Sequence, residues 1–206
     1  MTNYKLVIFD LDGVLVDTRD LHYTALNRAL EKIEPKYIIS YTDHLERFNG
    51  LPTRQKLELL TAERGLSPEK YKTIWYTKQK FTAEELLRTC SVDDRLVDVF
   101  RTLKQKGCRL HVASNSIRET VQIVLTRLGL LEYVDFYISN EDVKRPKPYP
   151  EIYQRCMIHE GVSCTETVII EDSPVGIRGA IASGADVLEV TSPKDVTVKA
   201  ILSCKK

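Results

Sequence analysis

The chain has 206 residues, which suffices for one full domain or for one domain that carries a modest insertion. Its 30 basic and 29 acidic residues leave a net charge of +1, so charge gives no reason to expect nucleic acid as a partner. No run of about 18 apolar residues occurs, and the N-terminal residues lack the apolar core and cleavage site of a signal peptide. We therefore expect a cytoplasmic protein with no membrane partner, and we take a monomer as the default oligomeric state.

Cysteine usage indicates the same compartment. The chain has five cysteines, an odd number, and no two of them stand in a Cys-x-x-Cys spacing. Such spacings or an even number are typical of zinc sites and of disulfide frameworks. We therefore expect free thiols in a reducing environment.

Short apolar runs rich in β-branched residues alternate along most of the chain with segments of helical periodicity. The runs predict strands at residues 4–9, 109–113, 134–139, 167–170 and 186–190. The periodic segments predict helices at residues 95–106, 117–128, 150–160 and 174–183. This alternation implies parallel pairing with right-handed crossovers, so we expect a doubly wound α/β sheet. In such sheets ligands bind outside the carboxyl ends of the strands.

Residues 18–88 interrupt the alternation. They show no convincing strand pattern, whereas apolar residues recur at helical spacing, for example over residues 21–33. Thr53 is a suitable cap for the helix that follows it, and Ser67 before Pro68 is typical of a helix start. We therefore predict a core formed by residues 1–17 and 89–206, with a helical insertion at residues 18–88.

The first candidate site follows the first predicted strand, where the chain reads DLDG at residues 10–13. In extended chain Asp10 and Asp12 point to the same side, and they would repel each other unless a cation lay between them. Oxygen ligands favour Mg²⁺. The motif alone is explained equally well by a structural turn. An EF-hand is excluded, because Val14 and Leu15 stand where that loop needs a carboxylate or amide and then a glycine.

The second candidate site is Ser114-Asn115-Ser116, directly after the predicted strand at residues 109–113. A hydroxyl group and backbone N–H groups at a helix N-terminus suit an anionic phosphoryl oxygen. The motif alone favours the simpler alternative that Ser114 or Ser116 caps the following helix.

The third candidate site is a proline-rich loop around Lys147, with the sequence KRPKPYPE at residues 144–151. Prolines on both sides make a stiff loop, which could hold the Lys147 ammonium in place to offset the charge on a transferred phosphate. The motif alone favours a solvated basic turn.

The fourth candidate site is Glu171-Asp172, at the end of the predicted strand at residues 167–170. These carboxylates can complete a magnesium site directly or through water, although Asp172 or Ser173 could instead cap a helix. Each motif is weak alone. All four follow successive predicted parallel strands, whose carboxyl ends meet at one edge of a sheet.

Together the motifs make the chain resemble the haloacid dehalogenase superfamily, and in particular its β-phosphoglucomutase-like phosphatases. The matching segments are residues 10–14, 114–116, 147–151 and 171–172, and the resemblance covers nearly the whole chain. It implies a Rossmann-like core with an inserted helical cap domain at residues 18–88. It also implies Mg²⁺ as the cofactor and a small phosphate ester as the substrate, with an aspartyl-phosphate formed on the enzyme.

The same resemblance implies roles for individual residues. Asp10 would be the nucleophile and Asp12 the general acid and base. Ser114 would hold a phosphoryl oxygen, with Asn115 beside it in a substrate-binding loop. Lys147 would bridge the charges of the nucleophile and the phosphate.

The magnesium ligands implied by the resemblance are carboxylates from the first and fourth motifs. Asp10 and Asp12 would bind the ion, Asp12 through its backbone carbonyl. Glu171 and Asp172 would complete the site.

Two residues of the insertion resemble substrate-binding residues of the sugar-phosphate members. The sequence GLPTR at residues 50–54 is similar to a cap loop whose arginine grips the distal phosphate in the mutase, and a guanidinium suits a phosphate. Arg54 could equally pair with an acidic neighbour on a helix surface. His22 lies in the segment that enters the cap, although it could be an ordinary helix residue.

Two positions depart from the family pattern. Pro146 stands where a small residue usually precedes the lysine of the third motif, which leaves Lys144 as an alternative to Lys147; the spacing to the later prolines favours Lys147. Arg118 stands where the mutase has a polar amide.

We therefore expect a phosphatase of a small phosphorylated metabolite, with a sugar phosphate preferred. A phosphomutase is the alternative, because it uses the same residues and returns the phosphate to a sugar hydroxyl instead of water. A receiver-type or non-catalytic phosphate-binding module fits less well. In a receiver the accepting aspartate follows a later strand, whereas Asp10 follows the first.

Overall fold

The structure is a computed structural model that describes residues 4–48 and 51–204. The chain forms two compact units, with boundaries after Asp17 and after Thr89. The core unit combines the N-terminal segment with the chain from Cys90 onward, and the helical unit comprises residues 18–89. Each unit has its own hydrophobic core.

The core unit contains a parallel five-stranded sheet with the strand order β3-β2-β1-β4-β5. The strands are β1 (Leu6–Phe9), β2 (Arg109–Ala113), β3 (Phe136–Ile138), β4 (Thr167–Glu171) and β5 (Asp186–Glu189). β1 lies at the centre, where Leu6 stands opposite both Arg109 of β2 and Thr167 of β4. The predicted doubly wound α/β sheet is therefore confirmed.

The helices of the two units are numbered together in chain order. They are α1 (Arg19–Glu31), α2 (Tyr41–Asp43), α3 (Thr53–Arg64), α4 (Tyr71–Thr89), α5 (Asp94–Gln105), α6 (Arg118–Arg127), α7 (Glu151–Glu160), α8 (Pro174–Ser183) and α9 (Val198–Ser203). Over the described residues, no helix combines the length and the apolarity that a bilayer span requires.

Side-chain alternation along β1 explains why helices pack on both faces of the sheet. Leu6 and Ile8 point to one side, where they join the cluster that includes Tyr153 of α7 and Ala180 of α8. Phe9 points to the other side and stacks on Phe100 of α5, with ring centroids 4.6 Å apart. A strand covered on both faces must be apolar throughout, which is why the first strand reads as a continuous hydrophobic run.

The helical unit has no strand among its described residues. Its long helices α1 and α4 pack on each other, with Leu26, Leu30 and Ile74 in the shared core. The Asn27 side chain accepts a hydrogen bond from the Ile39 N–H at 3.0 Å and donates one to the Ile39 carbonyl at 2.9 Å. This pair attaches the segment after α1 to that helix.

One predicted helix start is wrong by one residue. Thr53 is the first residue of α3, and the cap position belongs to Pro52, with no side-chain hydrogen bond. Pro52 is the last non-helical residue, with a ψ angle of 147°, so Thr53 already lies inside the helix and its hydroxyl is not at the cap position. Ser67 precedes a short 3₁₀ turn, Pro68–Lys70, which leads directly into α4.

We expect Phe100→Ala to lower the free energy of unfolding of the core unit by about 3–5 kcal/mol. The substitution removes a fully buried ring and leaves a cavity against Phe9. Urea unfolding followed by circular dichroism measures the change. The control is Ile158→Ala, at a residue 78% exposed, which should change stability by less than about 0.5 kcal/mol. Equal effects of the two substitutions would contradict the assignment of Phe100 to the core.

Candidate active site

Asp10 follows the central strand and lies at the carboxyl edge of the sheet. Its backbone N–H donates to the Ile170 carbonyl at 3.0 Å and extends the ladder between β1 and β4 by one bond. The residue is 6% exposed. Burial and the charge of Glu171 raise the pKa of Asp10 well above its usual range, although Lys147 acts in the opposite direction. An ionised Asp10 therefore needs cations beside it.

The Lys147 ammonium is one such cation. Its Nζ donates to Asp10 Oδ1 at 2.6 Å, to Glu171 Oε1 at 2.6 Å and to the Ala113 carbonyl at 2.8 Å. Burial alone lowers the pKa of Lys147, but the two carboxylates outweigh burial and raise the pKa above its ordinary value. Lys147 is therefore a permanent charge at the ends of β1, β2 and β4, which are neighbours in the sheet.

Lys144, the alternative left open by the sequence, lies elsewhere. Its side chain is exposed, and its backbone N–H donates to Glu151 Oε1 at 3.1 Å. Glu151 also accepts from the Arg145 N–H at 2.9 Å. These two backbone bonds and Arg155 lower the pKa of Glu151 to about 2. The ionised Glu151 carboxylate therefore stabilises the loop that carries Lys147.

Asn115 braces the same loop from the other side. Its Oδ1 accepts from the Lys147 N–H at 3.1 Å, and its Nδ2 donates to the Lys147 carbonyl at 3.3 Å. The peptide bond between Lys147 and Pro148 is cis. The two hydrogen bonds from Asn115, in the second motif, hold the backbone of the third motif in place. The sequence did not indicate this positioning role. The substrate-binding role of Asn115 stays a prediction.

Asp12 is joined to the serines of the second motif. Its Oδ2 accepts from the Ser116 hydroxyl at 2.8 Å and, at a longer 3.5 Å, from the Ser114 hydroxyl. Ser114 Oγ in turn accepts from the Ser116 N–H at 2.9 Å. The N-cap of α6 is Ile117, so neither serine caps that helix and the simpler explanation of the motif is wrong.

Glu171 is the last residue of β4 and is fully buried. Its Oε1 accepts from Lys147 and from the hydroxyl of Tyr153, and its Oε2 accepts from the Asp172 N–H at 3.1 Å. Ser173, at the start of α8, caps that helix through a bond from the Gly176 N–H at 3.1 Å. Because both Glu171 oxygens already have donors, the structure favours a role in holding Lys147.

Asp172 differs from Glu171 in its hydrogen bonds. Its Oδ1 is buried and has no hydrogen-bond partner within residues 4–48 and 51–204. Burial, together with the charges of Glu171 and Asp12, raises the pKa of Asp172 to about 7. Its Oδ2 lies where a side chain at residue 13 would start: a Cβ added to Gly13 would be 2.0 Å from that oxygen, and the φ angle of +88° also favours glycine.

A divalent metal ion fits this group of carboxylates. Asp10, Glu171 and Asp172 each offer an oxygen within 4.8 Å of the others. Hard oxygen donors suit Mg²⁺, and the unpaired Asp172 oxygen and the raised pKa values of Asp10 and Asp172 mark a place that needs positive charge. Asp10 and Asp172 are the best placed of the predicted ligands.

The predicted substrate residues of the insertion lie in the helical unit. Arg54 is on α3, with its side chain 83% exposed, and its Nε donates to Glu58 Oε1 at 2.9 Å. It also borders a cavity of about 540 Å³. His22, on α1, has Nδ1 3.5 Å from the Nζ of Lys78, a buried lysine of α4. Gly50, in the matching cap-loop sequence, lies outside the described residues.

Three residues of interest were not singled out from the sequence as site residues. Ser116 belongs to the second motif, but the only role considered for it was that of a helix cap; the signal it offered was its place in the loop after β2. Tyr153 and Lys78 lie within helical patterns, where an aromatic residue or a lysine carries no signal of its own. Only the folded chain brings Tyr153 to Glu171 and Lys78 to His22.

Comparison with known proteins adds independent findings. The sequence profile of the haloacid dehalogenase-like hydrolases matches residues 7–190. The chain is similar to a phosphorylated carbohydrates phosphatase of Thermotoga maritima, with 31% identity over 88% of this chain and 82% of the relative. It is also similar to a fructose-1-phosphate phosphatase of Escherichia coli, with 30% identity over 91% and 96% of the two chains. The β-phosphoglucomutase structure of Clostridium difficile has the same fold, with a TM-score of 0.82, 21% identity and coverage of 96% and 95%.

We expect Lys147→Met to destabilise the protein increasingly as the pH rises from about 5 to about 8. The folded-state pKa of Asp10 is raised, so the folded chain holds this proton more tightly than the unfolded chain does. Stability from that proton is present at low pH and is lost as the pH rises. Without the Lys147 ammonium the pKa of Asp10 rises further. The variant therefore continues to lose stability at higher pH values than the unchanged protein does.

The measurement is urea unfolding at both pH values in the presence of EDTA. Lys144→Met is the matched control, because it removes an exposed lysine three residues away in the chain. We expect a deficit for Lys147→Met that grows by at least about 1 kcal/mol over this range and none for Lys144→Met. A constant deficit would argue that Lys147 contributes only packing.

Proposed function

The chain belongs to the haloacid dehalogenase-like hydrolase family, and from this premise we propose that it is a Mg²⁺-dependent phosphatase of a small metabolite. The proposed reaction passes through an aspartyl-phosphate on Asp10. One observation carries the proposal: a buried Asp10 carboxylate lies 2.6 Å from the buried ammonium of Lys147. A carboxylate held by a fixed cation is suited to attack a phosphoryl group whose charge that cation can share.

In the first step Asp10 attacks phosphorus in line with the leaving oxygen, and the bond from phosphorus to that oxygen breaks. Lys147 holds Oδ1 of Asp10, so Oδ2 is the oxygen that attacks. Lys147 and the Ser114 hydroxyl offset charge on the phosphoryl oxygens. A carboxylate nucleophile needs no general base, which agrees with the absence of histidine from the four sequence motifs.

Asp12 carries the proton in both steps. It protonates the leaving oxygen, and it then takes a proton from the water that hydrolyses the aspartyl-phosphate. The Ser116 hydroxyl donates to Asp12 Oδ2 at 2.8 Å and thereby fixes the orientation of the carboxyl group. The carboxylate needs this support because Asp12 lies three residues beyond Phe9, the end of β1, outside the sheet hydrogen bonds.

When Mg²⁺ is bound, it supplies positive charge against the carboxylates and the transferred phosphoryl group. We propose Asp10, Asp172 and the backbone carbonyl of Asp12 as its ligands. Glu171 contributes through Lys147, whose ammonium it holds at 2.6 Å. Gly13 contributes by leaving room for the Asp172 side chain.

We propose a sugar phosphate as the substrate and the helical unit as a cap domain that recognises its organic part. The support comes from two relatives, which are described as phosphatases of phosphorylated carbohydrates and of fructose 1-phosphate. Arg54 and His22 are the proposed contacts, because a guanidinium and an imidazole can bind phosphate or hydroxyl oxygens. The cytoplasmic location and the monomeric state stay predictions from the sequence.

We expect Asp10→Asn to lower phosphate release by at least about a thousandfold, because the amide cannot form the covalent intermediate. The assay measures phosphate released from sugar phosphates, nucleotides, pyrophosphate and p-nitrophenyl phosphate, with and without Mg²⁺. Asp94→Asn is the matched control, because Asp94 is an exposed residue of α5 and should leave release unchanged. Phosphate release by the Asp10→Asn protein at the rate of the unchanged protein would contradict the proposed mechanism.

The same assay separates the phosphatase from the phosphomutase alternative. A mutase returns the phosphate to a sugar hydroxyl, so it would release little phosphate from any compound yet would isomerise a hexose phosphate. That isomerisation would also be lost in Asp10→Asn. Isomerisation without phosphate release would replace the phosphatase with the mutase.

We expect Ser116→Ala to lower kcat about tenfold with a smaller change in KM, because Asp12 loses its orienting donor while the other binding groups remain. Ser116→Thr keeps the hydroxyl and should restore most of the rate. Steady-state kinetics on the best substrate of the panel gives both constants. An equal loss in both variants would assign Ser116 to packing instead of to Asp12.

A further inference from the structure

A second group of metal-binding side chains lies in the core unit, away from the acidic site. His111 is in the middle of β2, and His159 and Glu160 end α7. One donor atom from each residue lies within 4.8 Å of the other two. His111 precedes Ala113 by two residues, so the group lies about 7 Å from the carboxyl edge along the strand, towards its amino end.

The polar atoms of this group lie near the spacing of metal ligands, and the shortest distance, from His111 Nε2 to Glu160 Oε1, is that of a hydrogen bond. Glu160 Oε1 lies 2.9 Å from His111 Nε2 and 3.4 Å from His159 Nδ1, so a single oxygen faces both imidazoles. Around a tetrahedral zinc ion with bonds of about 2.0–2.1 Å, ligand atoms stand roughly 3.3–3.4 Å apart. The donor atoms of His111 and His159 lie within 4.8 Å of each other, so rotation of the His159 and Glu160 side chains can bring the three atoms to that spacing.

The burial of the three residues is also suited to metal binding. His111 is fully buried, whereas the His159 side chain is 47% exposed and gives an ion access from solvent. Of the two ring nitrogens of His111, Nε2 is the one that faces Glu160 Oε1. The other carboxylate oxygen, Glu160 Oε2, lies 3.6 Å from Arg109, which in turn contacts Asp135. This leaves Oε1 as the oxygen directed at the imidazoles.

The orientation of the His159 ring is fixed by an aromatic neighbour. The His159 ring stacks on Phe136, with centroids 4.1 Å apart, and its Nδ1 lies 3.4 Å from Glu160 Oε1.

We propose that His111, His159 and Glu160 form a second metal site, which takes Zn²⁺ or a similar borderline divalent ion. Two imidazole nitrogens and one carboxylate oxygen are the ligand types that zinc, cobalt and nickel favour, whereas Mg²⁺ prefers oxygen alone. Three protein ligands leave the remaining coordination positions to water. The site is independent of the proposed phosphatase activity, because it shares no residue with the acidic group at the carboxyl edge.

The test uses Co²⁺ as a visible-light probe of the whole protein, in excess Mg²⁺, followed by displacement with Zn²⁺. We expect one equivalent of Co²⁺ to give the strong visible bands of a four-coordinate ion, without the near-ultraviolet sulfur absorption that a cysteine site would add. His159→Ala and Glu160→Gln should each weaken binding at least about tenfold. Circular dichroism confirms that both variants fold.

Two control variants identify where the ion binds. His22→Ala removes a histidine outside the group, and Asp172→Asn disables the acidic site; both should bind Co²⁺ as the unchanged protein does. Absence of binding to the unchanged protein would overturn the proposal. So would unaltered affinity in His159→Ala, or loss of binding in Asp172→Asn.

Discussion

The buried ammonium of Lys147 is the interaction on which the rest of the site depends. Moving a charge out of water costs several kcal/mol unless partners replace the lost hydration. Here the partners come from the ends of three adjacent strands, through Asp10, Ala113 and Glu171. The strands must keep their relative register for these bonds to form, and one ammonium cannot neutralise every carboxylate nearby. Burial and the remaining negative charge together raise the pKa of Asp172 to about 7, and the same negative charge suits a divalent ion.

Much of the fold could be predicted from the sequence, because a strand buried on both faces leaves a continuous apolar signature. The bounds of β2 and α8 agree with those predicted, and the α/β class and the family are confirmed. The start of α3 could not be predicted as well, since a threonine before a helical pattern suits both the cap and the first helical position. Only the backbone angles at Pro52 decide between them.

The site was predictable as a set of residues but less so as a set of contacts. Glu171 and Asp172 are neighbours in the chain with the same chemistry, and the sequence assigned both to the metal. In the structure Glu171 bonds to Lys147 and Tyr153, while Asp172 keeps an oxygen without a partner among the described residues. Successive residues at a strand end face opposite ways, and only the surroundings on each side decide what each carboxylate can do. Ser116 has a sequence signal in its place after β2, but nothing in the sequence identifies the distant Asp12 as its partner.

Two glycines show how far this arrangement constrains the sequence. A Cβ on Gly13 would lie 2.0 Å from Asp172 Oδ2, and a Cβ on Gly176 would lie 2.0 Å from Glu171 Oε1. Each carboxylate thus occupies the volume that a side chain on the facing glycine would need. In a saturation-mutagenesis map, both glycines would appear as intolerant as the acidic residues, although neither has a reactive group. Such a map would therefore report the space that the charged side chains occupy as well as the residues that carry the charge.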